Sequence, residues 1–330
     1  MQNYRKNNEG KYIIFVLITI SVLMIIAFVL GNAKGTINIS PSRIFQVIFH
    51  DDGSVERMVI WNIRLPRMIL AGLVGINLAL SGAILQGVMN NPLADPGIIG
   101  ISSGAGFFAI IILVIFPKYQ ALVPLAAFFG AMLAAVIIYS LAWKGGIQPI
   151  RIILAGVAVS ALFGAGTSGA LVFFSDRVHG ALTFMNGSLS ARSWPEVWSI
   201  LPYTIGGIIL CMLSSRKLNI LILGDDVARG LGLNVEATRL QLTALAALLA
   251  ASSVSVVGLL GFVGLIVPHS IRLLIGNDYK YLFPGCILLG ACLVMFSDTL
   301  ARTILSPTEI PVGIVMALIG APFFLYLLRK

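Results

Sequence analysis

Charge is what this sequence has least of. Only 11% of its 330 residues are Asp, Glu, Lys or Arg, against a hydrophobic share of 58% and a mean hydropathy of +0.99. A soluble domain carries roughly 25% charged and about 45–50% apolar residues, so the composition excludes a water-soluble globular protein. Cysteine is scarce too. Cys211, Cys286 and Cys292 sit inside apolar segments without motif spacing, which reads as inert buried thiols rather than a disulfide framework or metal site. His50, His179 and His269 stand apart from cysteine and carboxylate and make no metal-ligand pattern. No G-x-x-x-x-G-K-[ST] loop occurs, and nucleophile-elbow and zinc-protease patterns are missing. The chain is therefore expected to be no enzyme, with no cofactor and no metal.

Ionisable groups are almost missing from the apolar runs themselves. A carrier driven by protons or sodium needs such groups at depth. Asp298 is the one candidate carboxylate. It reads either as an ion site or, one turn from Arg302, as half of a local ion pair at a helix end. The chain has the makings of a pathway without an energy source of its own.

What is present is length of apolar run. A helix needs roughly 20 apolar residues to cross the hydrocarbon core, and ten such spans are predicted, at approximately 12–32, 65–88, 98–116, 121–143, 151–174, 196–213, 239–257, 261–275, 281–300 and 311–328. They leave no loop long enough for a soluble domain, so residues 1–330 are read as one all-α membrane domain. The apolar core of "MQNYRKNNEGKYIIFVLITISVLMIIAFVLGN" is too long for a cleaved leader and is read as a retained first span. The net charge of +9 comes from basic residues scattered singly through short loops, which orients a chain in a membrane rather than binding nucleic acid. With both termini inside, the inner set is Arg5, Lys6, Lys11, Lys144, Arg151, Arg216, Lys217, Arg229, Arg239, Arg272, Lys280, Arg329 and Lys330. The smaller outer set is Lys34, Arg43, Arg57, Arg64, Arg67, Lys118, Arg177, Arg192 and Arg302. So many outer arginines ask for an explanation.

Three connections stand out. "MNNPLADPGIIGISSGAG" joins the second and third spans through Asn90, Asn91, Pro92, Asp95, Pro96 and Gly97, turn formers among which the prolines lack a backbone donor. Irregular backbone near a membrane survives only where protein or a water-filled cavity shelters it. The loop is either an ordinary inner turn or a constriction at the inner end of a pathway. "SSRKLNILILGDDVARGLGLNVEATR", about residues 214–238, mixes charge with a short periodic patch. Asp225 is expected to cap a helix whose first turn carries Asp226, with Gly230 or Gly232 ending it. It is either a handle for a cytosolic partner or a solvated connector. "SDRVHGALTFMNGSLSARSWPEVW" suits a short helix tucked against the outer mouth, broken at Gly187.

These motifs converge. "RLPRMILAGLVGINLALSGAILQGVMNNPLADPGIIGISSGAG", "GDDVARGLGLNV", "GLLGFVGLIVPHSIRLLIGNDYKYLFPGCILLGA" and "SDTLARTILSPTEIPVGIVMALIGAPFFLYLL" resemble the FecCD-like permease subunits of type II ABC importers for ferric siderophores, haem and cobalamin, and "FMNGSLSARSW" matches a looser element. The resemblance runs from about residue 60 onward in the family's order, with the family's ten spans. It implies a type II ABC importer permease fold in the cytoplasmic membrane of a bacterium. It implies a second permease subunit (identical or paralogous), two cytosolic ATP-binding subunits and an extracytoplasmic substrate-binding protein. The Ile-, Asn- and Lys-rich chain ends suit a low-GC bacterium and so a lipid-anchored form of that protein. By the match, Arg64, Arg67 and Arg302 are expected to dock acidic residues on the binding protein, as guanidinium forks pair with carboxylates; the alternative is arginines snorkelling to lipid headgroups. Asn91 and Leu93 fall at the inner gate. Gly224, Asp225, Asp226, Ala228, Arg229, Gly230, Leu231 and Gly232 fall on the helix that couples to the ATPase. His269 has no role beyond packing. The expected cargo is an iron(III)–siderophore complex, with haem or cobalamin next, and an ion-coupled carrier as the reading from another class.

Overall fold

The computed structural model describes residues 2–35, 39–50, 52–97, 100–143 and 149–328. Lys144, Arg329 and Lys330 of the inner set, and Ile98 and Ile99 at the head of the predicted third span, lie outside them, as do the side chains of Arg5, Lys6 and His179.

The first crossing is α1 (Gln2–Ala33). Two short helices follow, α2 (Pro41–Phe49) and α3 (Val55–Val59), started by Ser40 and Ser54, whose hydroxyls accept from the amides of Arg43 and Arg57 as N-caps do. A π-helical turn, Ile60–Arg64, leads without a break into α4 (Leu65–Val88), which fills the range predicted for the second span. Next come α5 (Ile101–Ile115), a 3-10 turn at Pro117–Leu122, α6 (Val123–Ala142) and α7 (Pro149–Phe173). A 3-10 turn at Ser175–Arg177 precedes α8 (Val178–Met185), the expected short helix, and Gly187 breaks it with φ +66°. The remainder is α9 (Trp194–Leu221), α10 (Asp225–Gly230), α11 (Val235–Val257), α12 (Val263–Ile275), α13 (Tyr279–Thr303) and α14 (Val312–Leu328).

Seven helices among the described residues are long and apolar enough to cross a membrane, and α5, α12 and α14 are shorter apolar helices. Together they make the ten crossings expected. At 1.5 Å per residue, the 15 residues of α5 and 13 of α12 cover only about 20–23 Å of a core about 30 Å thick. Their ends therefore need protein around them.

Two expectations change. The sixth span was predicted to stop at 213, but α9 runs on to Leu221. Ser214, Ser215, Arg216 and Lys217 are polar without being breakers, and Arg and Lys favour helix; the first breaker is Gly224. The predicted connection of 214–238 thus shrinks to the residues between Leu221 and Val235. The segment before Arg64 gains three helical pieces that hydropathy left as loop.

The core is built around α4, whose apolar stretch is 83% buried, and α11, at 78%. Small residues set the spacing. A Cβ on Gly75 would lie 2.1 Å from the Gly290 carbonyl oxygen of α13, and one on Gly82 would lie 2.0 Å from that of Gly264 in α12. Backbone thus rests on backbone, the close approach that small residues allow in membranes. Asn77 and Ser81 of α4 bond across to Ser252 (3.2 Å) and the Ala246 carbonyl (2.7 Å) of α11. The apolar stretches of α1, α7 and α9 are by contrast only 17%, 28% and 28% buried, the sides left to lipid or to partners.

Candidate functional site

Polar chemistry collects at the two ends of the bundle. One end carries the ends of α1 and α13 and the start of α4. Here Arg67 donates Nη2 to Asp298 Oδ1 (2.9 Å), Nε to Asp298 Oδ2 (3.0 Å) and Nη1 to Glu309 Oε2 (2.9 Å). Arg302 sets Nε 3.3 Å from Asp298 Oδ2 and donates Nη2 to the Gly31 carbonyl (2.8 Å). Arg64 donates Nη1 to the carbonyls of Asn32 (2.8 Å) and Ala33 (3.3 Å), acceptors that the end of α1 leaves without helical partners. The three arginines that the sequence singles out are brought together, but as a clamp. Arg64, Arg67 and Arg302 are 4%, 6% and 8% exposed and Asp298 is fully buried. A carboxylate within reach draws guanidinium groups inward, because burying an unpaired charge is costly. Asp298 is thus the ion-pair partner of Arg302, as one reading had it, and equally of Arg67. Glu309, partly exposed, is a residue the sequence did not flag.

Below this clamp, a cavity of about 450 Å³ is bounded by Met185, Asn186, Gly261, Phe262 and Gly313, and another of about 350 Å³ by Asp95, Gly97, Gly261, Phe262 and Phe324. They share Gly261 and Phe262. Together they form a largely apolar groove along α12 and α14 from the Gly187–Gly313 junction towards the loop after α4. Phe262 holds φ at +68°, a left-handed conformation rare for a bulky residue, with its ring against Gly320.

At the opposite end, the loop of residues 89–97 is shaped by its own side chains. Asn91 Oδ1 accepts from Leu93 N (2.9 Å) and Asp95 Oδ1 from Gly97 N (2.8 Å), the local turns that Asn and Asp make. Asn91 and Leu93 are half-buried. Asn91 also lines a cavity with Gln86, Arg272, Asn277 and Tyr279. These polar residues close apolar runs and were legible only as breaks in hydropathy.

The segment expected to couple to a partner is a discrete helix. α10 starts after Gly224 (φ +100°) and ends in a left-handed Gly232 (φ +81°). Gly232 N donates to the Arg229 carbonyl (2.9 Å) and Leu233 N to that of Ala228 (3.0 Å), the paired bonds of a Schellman ending. Gly232, rather than Gly230, is the terminator. Asp225 does not cap the helix as expected: Gly224 holds that position, and the Asp225 carboxylate takes both Nη1 (2.9 Å) and Nη2 (2.8 Å) of Arg239 on α11. A bidentate guanidinium at the start of α11 outcompetes the weak cap of a six-residue helix. Arg229 Nη2 reaches Glu236 Oε1 (2.7 Å). Two ion pairs therefore fasten α10 to α11. Ala228 is buried beneath, whereas Leu223, Val227 and Leu231 are exposed and Asp226 projects fully into solvent.

Among the described residues, no group of three or more His, Cys, Asp or Glu could hold a metal ion.

Residues 23–330 match the model of the FecCD transport family. The iron(3+)-hydroxamate import system permease protein FhuG of Bacillus subtilis is 39% identical over 98% of this chain and 99% of its own. The hemin transport system permease protein HmuU of Yersinia pestis is also 39% identical, over 94% of each. A solved structure of a metal-chelate type ABC transporter in an inward-facing conformation superposes with a TM-score of 0.85 at 30% identity, over 96% of this chain and 99% of that one.

Proposed function

Because the chain belongs to the FecCD transport family and is a multi-pass ABC importer permease, we propose that it carries an iron(III)–siderophore complex into a bacterium across its cytoplasmic membrane. Alternating access is driven by two copies of a separate ATP-binding subunit acting on a pair of permease subunits, identical or paralogous. The observation that carries this reading is α10. A six-residue helix with exposed apolar side chains, fastened by ion pairs to the buried α11, receives a push from a partner and passes it to the core. Gly224, Asp225, Asp226, Ala228, Arg229, Gly230, Leu231 and Gly232 form the coupling segment, and the end bearing them, with both termini, is cytosolic.

The groove through Gly261 and Phe262 is one wall of the pathway, completed by the second permease. Asn91 and Leu93, on the stiffened loop at its inner end, form the gate. Arg64, Arg67 and Arg302 serve docking of the extracytoplasmic binding protein, a lipoprotein in our reading. Three guanidinium groups against two carboxylates leave one positive charge, which favours acidic lobes, and the clamp fixes the 304–311 loop that meets them.

Haem or cobalamin is the alternative cargo, since permeases named for each are among the relatives. An ion-coupled carrier is disfavoured, since both oxygens of Asp298 are already taken by arginines. The test is uptake of ⁵⁵Fe-labelled siderophore, ⁵⁵Fe-labelled haem and cobalt-labelled cobalamin by a deletion strain complemented with this chain. Siderophore uptake that requires a hydrolysing ATPase partner is expected. Uptake that survives an inactive ATPase but collapses with the ion gradient would sink the proposal.

A further inference from the structure

The cavity at the Asn91 end, about 310 Å³ in volume, lies between the last turn of α4, residues 90–92 of the loop that follows it and the junction of α12 with α13. Its polar lining is Gln86, Asn90, Asn91, Arg272, Asn277 and Tyr279, and none of these is a carboxylate. Arg272 is held in a fixed pose within it. It donates Nη1 to Gln86 Oε1 and Nη2 to the Tyr279 hydroxyl (3.3 Å). Both acceptors are themselves tied to backbone, Gln86 Nε2 to the Gly264 carbonyl (3.0 Å) and the Tyr279 hydroxyl to that of Ala83 (3.1 Å). Both are also neutral. Among the described residues Arg272 has no acidic partner, whereas Arg239 and Arg302 each have one and Arg67 has two. A guanidinium carries five donors in a planar fork, so this one retains donors and an uncompensated charge. Beside it, the Oδ1 of Asn91 is occupied by Leu93 N, which leaves the Asn91 NH₂ as the group it can offer.

We propose that this cavity binds a small oxyanion, a carboxylate or phosphate group, on Arg272. The site is pre-aimed, concave and lined by donors, the arrangement that suits bidentate recognition of such groups. Its occupant wedges between the gate loop and the start of α13. The same chemistry can come from a free anion or from the headgroup of an anionic phospholipid.

The experiment uses the assembled importer in nanodiscs. In phosphatidylcholine discs, inorganic phosphate or citrate is titrated against chloride at equal ionic strength and the melting temperature is followed. In discs containing phosphatidylglycerol, lipid retained through delipidation is counted by native mass spectrometry. A rise in melting temperature for the wild type identifies a free anion, and retained phosphatidylglycerol identifies a headgroup; either supports the site. Arg272→Gln should weaken the response by about tenfold or more, the scale of one charge-assisted hydrogen bond. Asn277→Asp keeps Arg272 and places a carboxylate in the cavity, so it should abolish the response even if Arg272→Gln fails to fold. Equal responses from wild type and Asn277→Asp in both arms would overturn the proposal. So would the absence of any wild-type response, including the case in which Arg272 affects only assembly with the ATPase. Neither result would touch the assignment of the chain as an importer permease, which stands on the family match, nor the siderophore reading, which is tested by uptake.

Discussion

Arg67 and Asp298 lie 231 residues apart in sequence and meet side-on inside the protein, Nη2 to Oδ1 at 2.9 Å and Nε to Oδ2 at 3.0 Å. The pair joins the start of α4 to α13. Removing one partner of a buried pair leaves the other charge uncompensated, at a cost of about 3–5 kcal/mol. Asp298→Asn should therefore lower stability by that order in a detergent unfolding assay. Replacing the pair together, as Arg67→Met with Asp298→Leu, should cost clearly less than the sum of the two single changes, with the remaining loss set by Arg302, which also loses its carboxylate. A double variant as unstable as the sum of the singles would show that the two residues do not act as a pair.

Glu309 holds Nη1 of Arg67 from a partly exposed position. Glu309→Gln should release that contact and raise the positive potential of this end. If the arginines serve docking, the binding protein should attach severalfold more tightly to the variant at low salt. The gain should shrink near physiological ionic strength, where the Debye length falls to about 8 Å. Unaltered attachment at both salt levels counts against docking at this clamp.

Asp225 and Arg239 form the bidentate one of the two ion pairs between α10 and α11, and in the proposed mechanism it passes on the push. Asp225→Arg should leave ATP hydrolysis running while cargo uptake falls. Adding Arg239→Asp restores the pair with its ends exchanged, and uptake should recover in part. Failure to recover, with both variants correctly assembled, means that the bond itself is not what transmits the push.

The ring of Phe262 stands between the two cavities of the groove. Phe262→Ala should widen the passage and raise cargo leakage in proteoliposomes without ATP. Because alanine also dislikes the left-handed backbone there, Phe262→Gly is the control; it relieves roughly 1 kcal/mol of strain and should leak equally. Tight vesicles with both variants would remove Phe262 from the pathway.

Much of the architecture is legible in the hydropathy of the chain. α4 fills its predicted range, the short third and eighth spans are short, and α8 breaks at Gly187 as its composition suggests. Boundaries fail where polarity is mistaken for helix termination, as at Ser214–Lys217. Side-chain partners are the least legible. Asp225 looks like a cap because the best local partner is visible in sequence, whereas Arg239 becomes its neighbour only after the chain reverses at Gly232. Arg64 and Arg67 look like free outer charges for the same reason, whereas the Asp298–Arg302 pair, one turn apart, is legible in the sequence. Nothing in the sequence near residue 67 announces that residue 298 will stand beside it. Arg272, Gln86 and Tyr279 come from three different helices, and nothing in the sequence places Gln86 beside the other two.

The glycine contacts of α4 limit how such a protein can move. With Gly75 against Gly290 and Gly82 against Gly264, no side-chain cushion separates α4 from α13 or α12, and a one-residue slip in register would drive a methyl group into a carbonyl. These three helices consequently travel as a single keel. In the proposed alternating access, reorientation between the two sides of the membrane falls to the thinly packed outer helices α1, α7 and α9, swinging about that unit like oars.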